Sequence, residues 1–193
     1  MSTSPTTSKP FLSDVKALRD QARRSLEDGA VVAESYGGDP KKTVEILQAV
    51  LATELVCVLR YTQHSIVASG LNSSAAKAEF AEHAGQEQEH AHWVAERITQ
   101  LGGTPDFNPD TLTGRSASQF KPGADLVDMI KENLIAERIA VAHYQELIRY
   151  FGDNDPTTRY LLERILEVEE EHADDMHDLL VAHEGKPMLS DKG

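Results

Sequence analysis

The sequence predicts an all-α fold, a four-helix bundle with one long crossover and an extra helix on its N-terminal side. Apolar residues recur at spacings of three and four and not at alternate positions, which is typical of helices and gives no support to β-structure. Four long segments have this pattern, and glycine closes each one at or just beyond its end. Two of the connections between them have four residues and the third has 21.

The chain is predicted to divide into four parts. Residues 1–11 form a flexible polar N-terminal tail, and residues 12–38 form an extension with a helix from about Ser13 to Ser35, ended by a glycine pair. Residues 39–185 form the helical bundle, and residues 186–193 form a C-terminal tail. At 193 residues the chain suits one domain with a sizeable core.

The four long helices have recognisable starts and ends. Asp39-Pro40 and Asp155-Pro156 each place a capping aspartate before a proline at the first helical position. The closing glycines are Gly70, Gly102, Gly152 and Gly185. The predicted helical ranges are 40–69, 74–101, 123–151 and 156–183.

The connections predict the topology. Residues 70–73 and 152–155 are long enough only to join antiparallel neighbours, whereas residues 102–122 can run the full length of the bundle. Two antiparallel hairpins joined by one long crossover form the ferritin-like arrangement of four helices.

A doubled pattern of metal-ligand residue types is the strongest functional signal. Each half of the bundle holds a Glu followed seven residues later by a Tyr, and a Glu-x-x-His motif starts 32 or 33 residues after that Glu. A Glu and a His three positions apart share one helical face and can bind one metal. Two lone Glu with two such pairs form the ligand set of a di-iron or di-manganese site in a four-helix bundle. The residues are Glu54, Tyr61, Glu87 and His90 in the first half and Glu137, Tyr144, Glu169 and His172 in the second.

The six candidate ligands lie on apolar stripes of their helices. A third motif, Glu89–His92, overlaps the first but shares its register with Glu82 and Glu96 on the polar face, so the pair of Glu87 and His90 is predicted to face inward. Four buried carboxylates need compensation, which two divalent cations provide. The two tyrosines are predicted either to hydrogen-bond the ligand carboxylates across the bundle or to pack in the core.

Three further residues lie three or four positions from predicted ligands in the sequence. His83 is predicted to be a hydrogen-bonded core histidine, with an accessory metal role as the alternative, and Trp93 is predicted to pack, with electron relay as the alternative. Cys57 is predicted to be a small buried hydrophobe. A single cysteine excludes an internal disulfide and a thiolate metal cage. The histidines outside the repeated set are predicted to be solvated: His64, His92, His143, His177 and His183.

The charge balance limits the partners. Thirty-two acidic against 19 basic residues give a net charge of −13, which argues against sequence-independent binding of nucleic acid. No segment has the apolar length of a signal peptide or a membrane span, so a soluble cytoplasmic protein without membrane contact is expected.

Over about residues 42–182 the sequence resembles the bacterioferritin branch of the ferritin superfamily. The segments that carry the resemblance are ATELVCVLRYTQH, GQEQEHAHWVAERITQLGG, NLIAERIAVAHYQEL and ILEVEEEHADDMHDLL. The resemblance implies that Glu87 and Glu169 bridge two irons and that Glu54 and Glu137 are terminal ligands. It also implies that His90 and His172 each complete the protein ligands of one iron. It also implies a ferroxidase that oxidises Fe(II) with O2 or H2O2, with two irons per chain, for iron storage and detoxification in a hollow homo-oligomer.

Departures from that branch refine the expectation. Gln88 stands where bacterioferritins carry a haem-ligating methionine, so haem is not expected. Only 21 residues follow His172, too few for the extra C-terminal helix of 24-subunit cages. The chain looks more like a Dps-like mini-ferritin with a bacterioferritin-type ferroxidase site, and a 12-mer is favoured over a 24-mer. The lysine-rich tail of DNA-binding Dps proteins is missing, since residues 1–15 hold only Lys9.

Two other functions stay open from the sequence. A manganese catalase-like enzyme that disproportionates peroxide uses a similar Glu and His site in a helical bundle. A DNA-protecting or structural Dps-like shell needs no working site. A rubrerythrin-type peroxidase is disfavoured because its rubredoxin module needs four cysteines and the chain has one.

Overall fold

The computed structural model describes residues 14–27, 32, 36–70 and 73–184, and these form helices with no strand among them. The predicted N- and C-terminal tails lie outside the described residues. A single 3-10 turn at Pro109–Thr111 precedes the fourth helix. The helices are α1 (Val15–Glu27), α2 (Pro40–Val67), α3 (Ser73–Gln100), α4 (Leu112–Arg115), α5 (Leu126–Phe151) and α6 (Pro156–Glu184).

The four long helices confirm the predicted helical bundle, and their ends agree with prediction to within three residues. The largest difference is the start of α5, predicted at residue 123, where the side chain of Asp125 caps the helix by accepting from the backbone N–H of Asp128 at 2.9 Å. The extension helix predicted from about Ser13 to Ser35 is described as α1 up to Glu27, and residues 28–31 and 33–35 lie outside the described residues. Val32 lies in a bend, so the helix does not continue unbroken to Ser35.

Aspartates cap two of the long helices as the sequence predicts. The carboxylate of Asp39 accepts from the backbone N–H of Lys41 at 2.9 Å, and that of Asp155 accepts from the backbone N–H of Thr158 at 2.9 Å. Gly102 and Gly152 follow α3 and α5 with φ of +81° and +44°, the left-handed region that a side chain disfavours.

Two hairpins, α2 with α3 and α5 with α6, pack into the bundle, and α3 also packs on α6. The crossover returns along α2 and contains α4, which the sequence did not predict. Leu112 of α4 packs on Ala52 and Val56 of α2, so the crossover adds a small apolar cluster outside the main core. Across the described residues, no helix combines the length and the apolar composition that a membrane span requires.

Side chains of α2 hold the crossover by hydrogen bonds along its length. Gln48 donates to the backbone oxygen of Thr104 at 2.7 Å, near the start of the crossover. Near its end, Nε2 of His64 lies 2.9 Å from the backbone oxygen of Lys121. The prediction that His64 is solvated is therefore wrong: its side chain is fully buried, because the crossover covers it.

Two apolar clusters fill the bundle on either side of its middle. One cluster includes Leu51, Val94 and Ile165, and the other includes Phe80 and Met176. The candidate ligands occupy helical positions between these clusters. Apolar packing at both ends therefore fixes the helices that carry them and excludes water from the space between.

Candidate metal centre

The six predicted ligands come together in the middle of the bundle, and each is at most 1% exposed. Helix α2 contributes one carboxylate and α5 another, while α3 and α6 each contribute a Glu and a His one turn apart. The stripe positions that the sequence assigned to them are therefore inward-facing. The residues are Glu54, Glu87, His90, Glu137, Glu169 and His172.

The six side chains form two overlapping sets of four. Glu54 and His90 belong to the first set, Glu137 and His172 belong to the second, and both sets include Glu87 and Glu169. Within each set, one ligand atom from every residue lies within 4.8 Å of the others. Two adjacent cations that share two carboxylates fit this arrangement.

Both histidines present Nδ1 to the carboxylates. Nδ1 of His90 lies 3.0 Å from Oε1 of Glu169 and 3.3 Å from Oε2 of Glu54. Nδ1 of His172 lies 3.8 Å from Oε1 of Glu87 and 4.0 Å from Oε2 of Glu169. Each imidazole is therefore oriented to give one nitrogen ligand to one of the two sets.

Unpartnered polar atoms are concentrated at this point. Among the described residues, seven buried side-chain oxygen or nitrogen atoms without a hydrogen-bond partner belong to these six residues. A buried polar atom without a partner is costly, and folded proteins rarely tolerate several together. Carboxylate oxygen and imidazole nitrogen are ligands for iron(II) and manganese(II), so bound cations of this kind would satisfy the orphaned atoms.

Burial and mutual repulsion shift the pKa values of the cluster. Burial first, and then the neighbouring carboxylates, raise the pKa of Glu87 and of Glu169 well above the usual range. Burial opposes the charged form of His90, but contact with Glu54 and Glu87 outweighs it and raises that pKa to about 9. Burial and the nearby histidines lower the pKa of His172 to about 2. Without cations, the cluster therefore holds protons in their place.

Both repeated tyrosines reach a carboxylate across the bundle. Tyr61 donates a hydrogen bond to Oε1 of Glu137 at 2.5 Å, and Tyr144 donates to Oε1 of Glu54. Both side chains are also buried in the core. Of the two roles left open by the sequence, hydrogen bonding to the ligand carboxylates is thus present together with packing.

Sequence reasoning missed Gln86, whose Oε1 lies 2.7 Å from Nε2 of His172. This contact fixes the ring so that Nδ1 faces the carboxylates, a common arrangement around metal-binding histidines. Gln86 sits on α3 and its partner on α6, so no spacing within one helix signals the contact.

Arg60 was also missed, although it is fully buried. Its Nε donates to Oδ1 of Asn133 at 2.7 Å, and one of its terminal nitrogens lies 4.0 Å from Oε1 of Glu137. A buried cation beside the cluster offsets part of its negative charge. The only signal in the sequence is an arginine within a mostly apolar helical segment.

The remaining candidates lie around the cluster. His83 is buried and its ring stacks on that of His172, with 3.8 Å between centroids. The ring of Trp93 lies 5.5 Å from that of His90 and carries the guanidinium of Arg164 at 4.2 Å, so it packs at the edge of the site.

Three residues that the sequence placed outside the cluster also lie outside it in the structure. Glu89 and His92 are exposed, which confirms that the overlapping motif faces solvent. Cys57 is buried, as predicted, and burial raises the pKa of its thiol well above the usual range.

Comparisons with known proteins agree with this architecture. The family model of the Ferritin-like domain matches residues 44–184. The DNA protection during starvation protein of Pyrococcus furiosus is 30% identical over 159 residues, which are 81% of this chain and 84% of that protein. A solved dodecameric thioferritin, the bacterioferritin-related protein from Bacteroides fragilis, is 30% identical with a TM-score of 0.72 and covers 79% of this chain and 93% of its own. The Dps protein from Bacillus brevis, at 17% identity, 73% and 96% coverage and a TM-score of 0.70, shares the fold.

Proposed function

Because the chain belongs to the Ferritin-like domain family, we propose that it is a ferroxidase that oxidises Fe(II) to Fe(III) at the six-residue cluster, for iron storage and detoxification. The observation that carries the proposal is the pair of donor sets that share Glu87 and Glu169, each completed by one histidine and one further glutamate.

Each residue has a role in holding the Fe(II) substrate. Glu87 and Glu169 belong to both sets and bridge the two ions, while His90 and His172 each supply one nitrogen to one ion. Glu54 and Glu137 are the terminal carboxylates. Four carboxylates carry four negative charges, which two divalent cations balance in a site that water does not screen.

The chemistry of the site follows from its donors. Each Fe(II) loses one electron, and the two electrons with two protons reduce H2O2 to two waters. O2 is the alternative oxidant, and the same two electrons with two protons reduce it to H2O2. The chain contributes by placing both ions side by side and by stabilising the higher charge of Fe(III) with hard carboxylate oxygens. Tyr61 and Tyr144 hold the terminal carboxylates in place through their hydrogen bonds.

We further propose that the chain works as a homo-oligomer of 12 subunits. The dodecameric bacterioferritin-related protein of Bacteroides fragilis is 30% identical, and the match covers 93% of it. Sedimentation or light scattering of the purified protein separates a 12-mer from a 24-mer by mass.

Aerobic Fe(II) loading tests the function, with a matched pair of variants on the same helix. Glu87→Ala/His90→Ala removes the inward Glu-x-x-His, and Glu89→Ala/His92→Ala removes the exposed one, with the same change in composition. We expect Glu87→Ala/His90→Ala to oxidise Fe(II) about 10-fold or more slowly than the wild type, and Glu89→Ala/His92→Ala to oxidise it at the wild-type rate.

The loading experiment also distinguishes the alternatives. Equal rates in the inward variant and the wild type would overturn the ferroxidase assignment. Sustained oxygen evolution from peroxide, with manganese in the purified protein and no iron mineral, would indicate the catalase-like function instead. Metal content and particle size are therefore measured in the same preparations.

DNA protection is a second candidate because a relative of 30% identity has that name. The net charge of −13 opposes direct contact with phosphates. We therefore expect no gel shift of duplex DNA at physiological salt, and protection of DNA in an Fe(II)–peroxide mixture only by the variants that oxidise iron.

A further inference from the structure

Beside the six-residue cluster, one turn nearer the start of α3, a second group of ligand-type side chains meets between α3 and α6. It consists of Glu79 and His83 on α3 and Asp175 on α6. One ligand atom from each lies within 4.8 Å of the other two. None of these residues belongs to the repeated ligand pattern of the sequence.

The two distances from His83 to the carboxylates match the spacing of ligands around one bound cation. Nε2 of His83 lies 3.4 Å from Oε1 of Glu79 and 3.4 Å from Oδ2 of Asp175. A charge-assisted contact between such groups normally closes to about 2.7–2.9 Å. Ligands about 2.1 Å from a tetrahedral metal are instead about 3.4 Å from one another. The contact between His83 and Asp175 is thus a long hydrogen bond, and both distances from Nε2 equal the separation of two ligands on one tetrahedral cation.

The histidine of this group is buried and its two carboxylates are partly exposed, so a cation can enter from solvent. The side chain of His83 is 1% exposed, whereas those of Glu79 and Asp175 are 34% and 41% exposed. The imidazole is therefore fixed at the inner end of the group and the two carboxylates reach the surface. Glu82 and Asp178, each three residues further along the same helices, are exposed and add negative charge around the opening.

We propose that Glu79, His83 and Asp175 form a third divalent-cation site, separate from the central cluster and open to solvent. One nitrogen and two carboxylate oxygens bind first-row cations such as Zn(II), Mn(II) or Fe(II), and solvent completes the coordination. The ring of His83 stacks on that of His172 at 3.8 Å, so this site adjoins the central cluster through two imidazoles. The proposal concerns cation binding and does not depend on iron oxidation.

Zn(II), which has no redox chemistry, is the probe. Crystals of the full chain soaked in Zn(II) are analysed by anomalous diffraction at the zinc edge, and Zn(II) bound per chain in solution is counted by calorimetry. Glu79→Gln/Asp175→Asn removes the two carboxylates with little change in shape. Glu82→Gln/Asp178→Asn removes the same charge from the exposed neighbours and serves as the control.

We expect an anomalous peak at the three residues in the wild type and in the control variant. In Glu79→Gln/Asp175→Asn this peak should be absent, and calorimetry should count one Zn(II) fewer per chain than in the wild type. Peaks at the central cluster are read in the same crystals, so a failure of the central site is seen separately. A wild-type peak missing at Glu79, His83 and Asp175, or one that survives in Glu79→Gln/Asp175→Asn, would overturn the proposal.

Discussion

Tyr61 on α2 donates a hydrogen bond to Glu137 on α5, with 2.5 Å between the phenol oxygen and Oε1. The reciprocal contact runs from Tyr144 on α5 to Glu54 on α2. Each tyrosine lies seven residues, about two helical turns, after the glutamate of its own helix. The repeated spacing in the sequence thus becomes a pair of links between the first helices of the two hairpins.

Replacing Tyr61 with Phe tests this link. The change leaves Oε1 of Glu137 without its donor, so we expect Zn(II) affinity at the central cluster to fall by about 10-fold to 100-fold. The free energy of unfolding of the metal-free protein is expected to fall by about 1–3 kcal/mol. Calorimetric Zn(II) titration and urea unfolding measure the two effects. Tyr160→Phe, at a 62% exposed tyrosine, is the control and should change neither; an unchanged affinity in Tyr61→Phe would show that the tyrosine only packs.

The sequence predicted the long helices and the six clustered side chains because both follow from periodicity within one helix. Glu87 and His90 share a face by their spacing, whatever packs opposite them. The crossover contacts escaped prediction because they join residues far apart in the chain. His64 was predicted to be solvated, but the crossover covers it and its Nε2 contacts the backbone oxygen of Lys121, 57 residues later.

Gln86 and Arg60 escaped prediction for the same reason. Neither extends the repeated pattern, and each acquires its role only from a partner on another helix: His172 for Gln86 and Asn133 for Arg60. Side chains that point into the middle of the bundle follow from hydrophobic periodicity, but the groups that orient them depend on how the helices are set against each other.

The metal-free protein should lose stability as pH rises above about 6.5, the usual histidine pKa, because below that pH the lowered pKa of His172 contributes in the opposite direction. The folded-state pKa of Glu87 is raised well above its unfolded value, mainly by burial, so the folded state holds a proton that the unfolded state has already released. The resulting stability is full below the usual glutamate pKa of about 4.3 and is lost as pH rises through the folded-state value. Urea unfolding of the chelator-treated protein across pH measures the slope.

Glu87→Gln should make the pH dependence of the free energy of unfolding shallower, because glutamine has nearly the shape of a protonated glutamate and stays uncharged at every pH. Glu89→Gln changes an exposed acid two residues away and should leave the slope unchanged. A metal-free protein whose stability rises with pH above about 6.5, or a slope there that Glu87→Gln does not alter, would contradict the burial of four converging carboxylates.

Zn(II) binding at the central cluster should release protons. In the metal-free state the pKa of His90 is raised to about 9 by Glu54 and Glu87, although burial opposes it, so at neutral pH the ring is protonated and must lose its proton to bind a cation. Affinity should therefore increase with pH up to about 9. Calorimetry in buffers of different ionisation enthalpy counts the protons, and binding heats that do not depend on the buffer would refute the prediction.

Removing the buried cation next to the cluster should destabilise the crossover and the metal-free protein. Arg60→Met leaves Oδ1 of Asn133 and the hydroxyl of Ser118 without their donor, and it removes a positive charge 4.0 Å from Glu137. We expect the free energy of unfolding of the metal-free protein to fall by about 3–5 kcal/mol.

Bound Zn(II) should restore part of the stability that Arg60→Met removes, because the metal supplies positive charge to the same carboxylates. Thermal unfolding with and without Zn(II) measures both effects. Arg149→Met, at an exposed position near the end of α5, loses the same charge away from the cluster and should behave as the wild type. Equal losses in the two variants would show that net charge, and not the buried contacts of Arg60, accounts for the effect.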